Sequence, residues 1–331
     1  MTVLEKQIYF RIIALWVVSE AMLGGIIHGF KLPVSGLIVG SSAIIFIALL
    51  GLLIPTKGAI LKATMIVVVF KMLLSPQSPF AAYIAVLFQG VLGHLLFSNK
   101  KHFTLKCYIF AFLTLIESAF QRVIVMTIVF GANLWGAFNE FSNKLFHSTQ
   151  SLNYSLYIVA AYLFLHIIVA FFVGRFASQL PAQLSNLKSA KDEYEIFQIS
   201  DDEISYVTLK KRNRSFIFIL WIFFAAVFIH SQFYPHAALL PKNEVILFVF
   251  RSTLILLTWY YLLAPVLLKI LQKLLDKQKE KLRVELAETM LLLPTTKMII
   301  KKSWEASRKK RRGSRLLYFW RSVIANTLII Q

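Results

Sequence analysis

The sequence predicts an all-α integral membrane protein: about eight transmembrane helices, both termini cytoplasmic, a small cytoplasmic β-hairpin, and amphipathic basic cytoplasmic helices at the C-terminus. Three observations lead there. Of 331 residues, 58% are hydrophobic and only 16% charged, which is too apolar for an ordinary soluble domain. The apolar residues fall into runs of about 20, the length that crosses ~30 Å of hydrocarbon at 1.5 Å per residue. The formal charge of +20 sits on Lys and Arg that avoid those runs and gather at their flanks, as the positive-inside rule requires. The same distribution excludes nucleic acid as a partner, because no basic stripe forms on an otherwise polar domain.

The runs lie near 10–29, 33–54, 58–74, 79–97, 104–130, 153–174, 214–232 and 244–268. The first opens near the N-terminus and is followed by further spans without a small-residue cleavage site, so it reads as a retained helix. The third is short and ends at Lys71, where Pro76 and Pro79 of the PQSP loop break the chain. Alternate connections carry the positive charge: Lys57 and Lys62, then Lys100, Lys101 and Lys106, then Arg175 to Arg214, then the tail. The intervening loops are nearly bare, with Lys31, Lys144 and Lys242. This alternation closes only with an even number of spans, and it places both termini on the cytoplasmic side of an inner membrane.

Three regions follow: a six-helix bundle over 1–180, a cytoplasmic linker over 181–213, and a two-helix membrane hairpin with its basic tail over 214–331. The linker holds six of the sixteen acids. Within it, EYEIFQIS and EISYVTL flank an Asp-Asp turn and are rich in β-branched and aromatic residues, a hairpin pattern. The tail carries sixteen Lys or Arg against five acids between Lys269 and Arg321. Leu271, Leu275, Gln278, Leu282, Leu286, Met290 and Leu293 draw one stripe along a helix. Pro294 is expected to interrupt it, Thr295 and Thr296 to cap a second helix, and Gly313 and Ser314 to end that one before a third apolar pattern at Leu316–Ile330.

No phosphate-binding loop, H-E-x-x-H, G-x-S-x-G or paired-cysteine motif occurs, so nucleotide hydrolysis, zinc peptidase and serine hydrolase chemistry have no local support. No catalytic residue is assigned. Cys107 is the only cysteine, and the seven histidines show no metal-ligand spacing, so no metal site is assigned either. Ionisable residues at bilayer depth cost about 2.5–3.5 kcal/mol each on insertion scales and call for a partner or a role. Glu20, Lys71, Glu117, Arg122 and Arg251 are those residues. Glu117 and Gln121 share a helix face, with Arg122 on the adjoining one. Glu20, Glu117, Gln121 and Arg122 therefore form the candidate solute pocket, opening outward. The competing reading is a Glu–Arg strut, with Lys71 snorkelling to the headgroups. Small residues repeat every four positions at Ala21, Gly25 and Gly29 and at Gly36 and Gly40, which permits close helix contact.

The tail segment LLLPTTKMIIKKSWEASRKKRRGSR resembles the coupling region of the T component of energy-coupling factor (ECF) transporters, in which a proline-led helix runs to an Ala-Arg-Gly-like end. Pro294 matches the proline, Ala306 an upstream small residue, and Arg312–Gly313 the Arg-Gly. The front part, with LPVSGLIVG, an apolar helix and KGAILKA, more loosely resembles the six-helix substrate-binding S component of the same transporters. The resemblance implies a membrane subunit of an ABC importer. ATP and Mg would sit on partner P-loop ATPases, and Arg308, Arg311, Arg312 and Gly313 would dock in a groove of that partner. This chain would bind no cofactor, and its solute would be small, vitamin-like or a metal. Lipid is a second partner, because surface cations gain up to about 1 kcal/mol each beside anionic headgroups. Two other readings stay open: a polytopic membrane enzyme or lipid-handling protein acting through Glu117 and Arg122, and a scaffold that recruits cytoplasmic partners through the linker and tail.

Overall fold

A computed structural model describes residues 1–24, 34–75, 78–99, 101–131, 133–146, 152–187 and 279–328, with isolated positions between 197 and 266. Every regular element among the described residues is helical. Among the described residues three helices are long and apolar enough to cross a membrane: Ser35–Leu53, Phe103–Phe130 and Tyr154–Ser185, while Ala81–Phe97 is apolar but shorter.

Helix α1 (Val3–Val17) starts at a capping box: Thr2 Oγ1 accepts from the Glu5 amide at 3.2 Å, and Glu5 Oε2 accepts from the Thr2 amide at 2.8 Å. It runs without a break into a π-helical segment, Val18–Leu23, that the 20-residue template does not foresee. Ile12, Ile13, Ala14, Trp16 and Val17 are fully buried. A stretch apolar on every side, as residues 12–17 are, belongs in the middle of a bundle, and α1 touches α2 (Ser35–Leu53), α3 (Ala59–Leu74), α9 (Lys279–Arg308) and α10 (Arg315–Leu328). The most apolar window of α2 is 67% buried, whereas that of Tyr154–Ser185 is 11% buried; α2 is therefore central and the latter peripheral.

The remaining elements pack around this pair. Gly58, in the left-handed region at φ 79°, turns the chain from α2 into α3. Helix α4 (Phe80–Phe97) lies so near α3 that a Cβ on Gly90 would come within 2.0 Å of Thr64 Oγ1. Gly36 and Gly40 of α2 face α5 (Phe103–Phe130): added Cβ atoms would meet Ser118 Oγ at 2.2 Å and Leu115 Cδ2 at 3.1 Å. That face is the small-residue contact the sequence suggests, while Gly25 and Gly29 lie outside the described residues. Helix α6 (Asn133–Leu145) was not expected; Asn143 Oδ1 and Asn139 Oδ1 accept from the Leu152 and Ser155 amides and so tie it to the start of α7 (Tyr154–Ser178). A short α8 (Leu180–Leu187) follows.

The tail departs from expectation in two respects. Pro294 does not interrupt it, because α9 is one helix from Lys279 to Arg308 with the proline inside. Thr295 and Thr296 consequently do not cap a second helix; Thr296 Oγ1 donates instead to the Leu292 carbonyl at 2.7 Å. Packing against α1 and α10 supplies what the missing proline N–H does not. Of the expected stripe, Leu271, Leu275 and Gln278 lie outside the described residues. Leu286 and Leu293 pack on the core, but Met290 is exposed and the seam runs through Thr289, Thr296 and Ser303, seven residues apart. At Ser303 this seam meets α10, where Ser322 Oγ donates to Ser303 Oγ at 3.2 Å. The expected break at Gly313 and Ser314 is present as a 3-10 turn, Arg312–Ser314.

This tail folds back onto the front of the chain. Lys6 Nζ meets Glu288 Oε1 at 2.7 Å, Arg11 Nη1 donates to the Thr327 carbonyl at 3.1 Å, and Trp320 stacks edge-on against Phe46 at 5.8 Å. The expected hairpin, the seventh and eighth spans and Arg251 lie outside the described residues. Of their neighbourhood, Trp221 Nε1 donates to Thr258 Oγ1 at 3.1 Å, and the Phe197 amide donates to Asn326 Oδ1 of α10 at 2.9 Å.

Candidate functional site

The ends of α1, α2, α3 and α4 meet segments of α5 and α7 around a cavity of about 100 Å³, lined among others by Glu20, Lys71, Gln89, Gln121, Arg122 and Tyr162. Each helix delivers its residue by position. Ser35 opens α2, Lys71 lies in the last turn of α3, and Ala81 lies in the first turn of α4. Glu20 comes from the π-helical segment, which packs on α2 and α3. Such segments insert an extra residue per turn and recur at functional sites.

Glu20 Oε2 accepts from Lys71 Nζ at 2.6 Å, and both side chains are 2% exposed. The expected Glu–Arg strut is therefore a Glu–Lys pair, and Lys71 does not snorkel. Burial leaves a lysine ammonium no water to reach, so it stays only where a carboxylate compensates it. Gln121 Nε2 donates to the Ala81 carbonyl at 2.8 Å, which joins α5 to the start of α4. Arg122 enters no ion pair among the described residues, and its Nε is buried without a hydrogen-bond partner.

Of the four pocket residues read from the sequence, Glu20, Gln121 and Arg122 line the cavity together. Glu117 does not; it is half-buried on α5, one turn before Gln121, with Oε2 unpartnered. Gln89 lines the cavity at 3% exposure and was missed, because attention to ionisable groups passes over a lone amide in an apolar run. Counting every hydrogen-bonding side chain within the apolar runs would have found it. His166 is fully buried beside Tyr162, its Nδ1 2.9 Å from that residue's carbonyl. Among the described residues no three His, Cys, Asp or Glu side chains are grouped to hold a metal ion.

The basic residues of the tail do not line the cavity. Arg308 closes α9, while Arg311, Arg312 and Gly313 form the exposed turn into α10. The turn is held by its own backbone: the Ser314 amide donates to the Arg311 carbonyl at 3.0 Å and Arg315 Nε to the Lys310 carbonyl at 2.9 Å. Lys310 lies over the Tyr318 ring at 4.8 Å, and a Cβ on Gly313 would meet only open space. Compared with known proteins, the chain matches no family model, no curated protein and no solved structure.

Proposed function

We propose that this chain is the membrane subunit of an ECF-like ABC importer, with about eight spans, both termini cytoplasmic, and partner P-loop ATPases that carry ATP and Mg. The observation that carries the reading is the arrangement on α1. This buried helix continues into the π-helical segment that presents Glu20 to a polar cavity, and it packs against the α9–α10 tail, whose α9 also touches the π-helical segment. The chain has no nucleotide motif of its own, so work must come from a partner.

The exposed Arg308, Arg311 and Arg312 offer fixed positive charge and forked donors to carboxylates or carbonyls of that partner. Movement of the partner's groove would displace the turn. Displacement of the turn would shift α10 and α9 through the contacts with Lys6, Arg11 and Phe46. A rigid α1 would carry the shift to Glu20 and change the cavity wall. To test this, the protein is extracted from its native membrane in mild detergent. A P-loop ATPase should co-purify with the natural protein and be lost with Arg312→Glu; recovery without any ATPase, or equal recovery from both, removes the proposal.

A further inference from the structure

Three side chains on the cavity wall keep hydrogen-bonding capacity that the fold does not use. Glu20 gives Oε2 to Lys71, but its Oε1 is buried with no partner. Gln89 is 3% exposed, and its Oε1 is also unpartnered. Arg122 Nε is a buried donor without an acceptor. Buried polar groups in folded proteins are nearly always satisfied, and each exception asks for an explanation. Three exceptions around one cavity share one explanation, a polar ligand.

The charges define which ligand. Glu20 and Lys71 cancel at 2.6 Å, so the guanidinium of Arg122 leaves the wall with a formal charge of +1. A free cation finds no uncompensated carboxylate on this wall, whereas an anion finds Arg122. Glu20 Oε1 is an acceptor only and requires a donor, while the Gln89 amide offers both kinds. The cavity holds about 100 Å³, below the ~150 Å³ of an engineered cavity that admits benzene, so the part of a ligand that it holds has only a handful of heavy atoms.

We infer that the cavity binds a small free carboxylate carrying an amino or hydroxyl group on a neighbouring carbon. The carboxylate takes the guanidinium fork of Arg122. The amino or hydroxyl donor faces Glu20 Oε1, and Gln89 completes the polar ring. This rests on the solute pocket of the importer reading and names its solute class, yet it concerns this chain alone.

The test is calorimetric titration of the purified chain in phosphatidylcholine nanodiscs with four probes of similar size: lactate, alanine, propionate and ethylamine. Lactate or alanine should bind at least about tenfold tighter than propionate, which lacks the donor, and ethylamine should not bind. Arg122→Gln should weaken that binding at least tenfold, and Arg122→Lys, which keeps the charge without the fork, should restore it only in part. Gln89→Leu, judged folded by an unchanged melting curve, should weaken it several-fold. No binding by lactate or alanine, ethylamine binding as well as either, or indifference to Arg122→Gln overturns the inference. Nanodiscs doped with phosphatidylserine separate the sources of the same chemistry: a tenfold loss of probe affinity there assigns the site to a lipid headgroup and overturns a free solute. No ATPase enters this experiment, so its failure and a failure of partner recovery are distinguishable.

Discussion

Removing the ammonium of Lys71 is the sharpest single perturbation of the fold. Its Nζ lies 2.6 Å from Glu20 Oε2, and both side chains are 2% exposed. In Lys71→Met the apolar stem is kept and the charge is lost, stranding the Glu20 carboxylate among buried neighbours. Breaking a buried pair from one side costs about 3–5 kcal/mol, whereas replacing both partners with apolar groups of similar volume is often neutral. With about 2.1 cal/mol/K of unfolding entropy per residue, each kcal/mol moves the melting temperature of this chain by about 1.4 °C. Lys71→Met and Glu20→Met should therefore each lower it by about 4–7 °C in a detergent melt. The double variant should return to within about 1.5 °C of the natural protein, because no charge is left uncompensated. A Lys71→Met loss under ~1 kcal/mol, as for an exposed pair, or losses that simply add in the double variant, would refute the reasoning.

The tail salt bridge provides the contrast. Lys6 and Glu288 are 51% and 34% exposed, so Lys6→Gln should cost less than about 1 kcal/mol in the same melt. Gly90→Ala should destabilise by about 1–3 kcal/mol through overpacking against Thr64, with partial relief when Thr64→Ala is added. Pro294→Ala should stabilise α9 by up to about 3 kcal/mol, because the Met290 carbonyl regains an amide partner; slower amide exchange over residues 290–298 is the readout.

Much of the helical architecture is legible in the sequence because apolar runs of spanning length leave few alternatives. Described helices cover the described parts of the first six runs, and from the second run on their described ends fall within a few residues, whereas the first helix begins at Val3, seven residues before the run at 10. The π-helical segment at Val18–Leu23 is not legible, since no residue type marks it and only packing on α2 and α3 selects it. Pro294 misleads because a local rule, that proline ends a helix, competes with a tertiary one, that a long buried seam holds the helix together. Met290 leaves the expected stripe, in which Leu286 and Leu293 do pack on the core, for a related reason. A period of three and four residues fits two neighbouring faces, and the choice falls to the face whose Thr289, Thr296 and Ser303 are buried, with Ser303 against Ser322 of α10.

The candidate site is legible in kind and only partly in membership. Glu20, Gln121 and Arg122 stand out because charge and amide groups are rare within apolar runs. The partner of Glu20 is not readable, because Lys71 and Arg122 are both basic and lie on different helices, and only the bundle geometry decides between them. Glu117 shows the limit of helical arithmetic: it shares the face of Gln121, but the cavity ends before reaching it.

The central claim is that the exposed basic turn and the polar cavity move together. Ala85 lines the cavity, and the only natural cysteine, Cys107, is fully buried, so Ala85→Cys reports on the wall with little background. In native membrane vesicles the rate at which a maleimide labels Ala85→Cys should change several-fold when ATP is added, and the change should vanish when Arg312→Glu is introduced. A labelling rate indifferent to ATP, or a response that survives Arg312→Glu, contradicts the account.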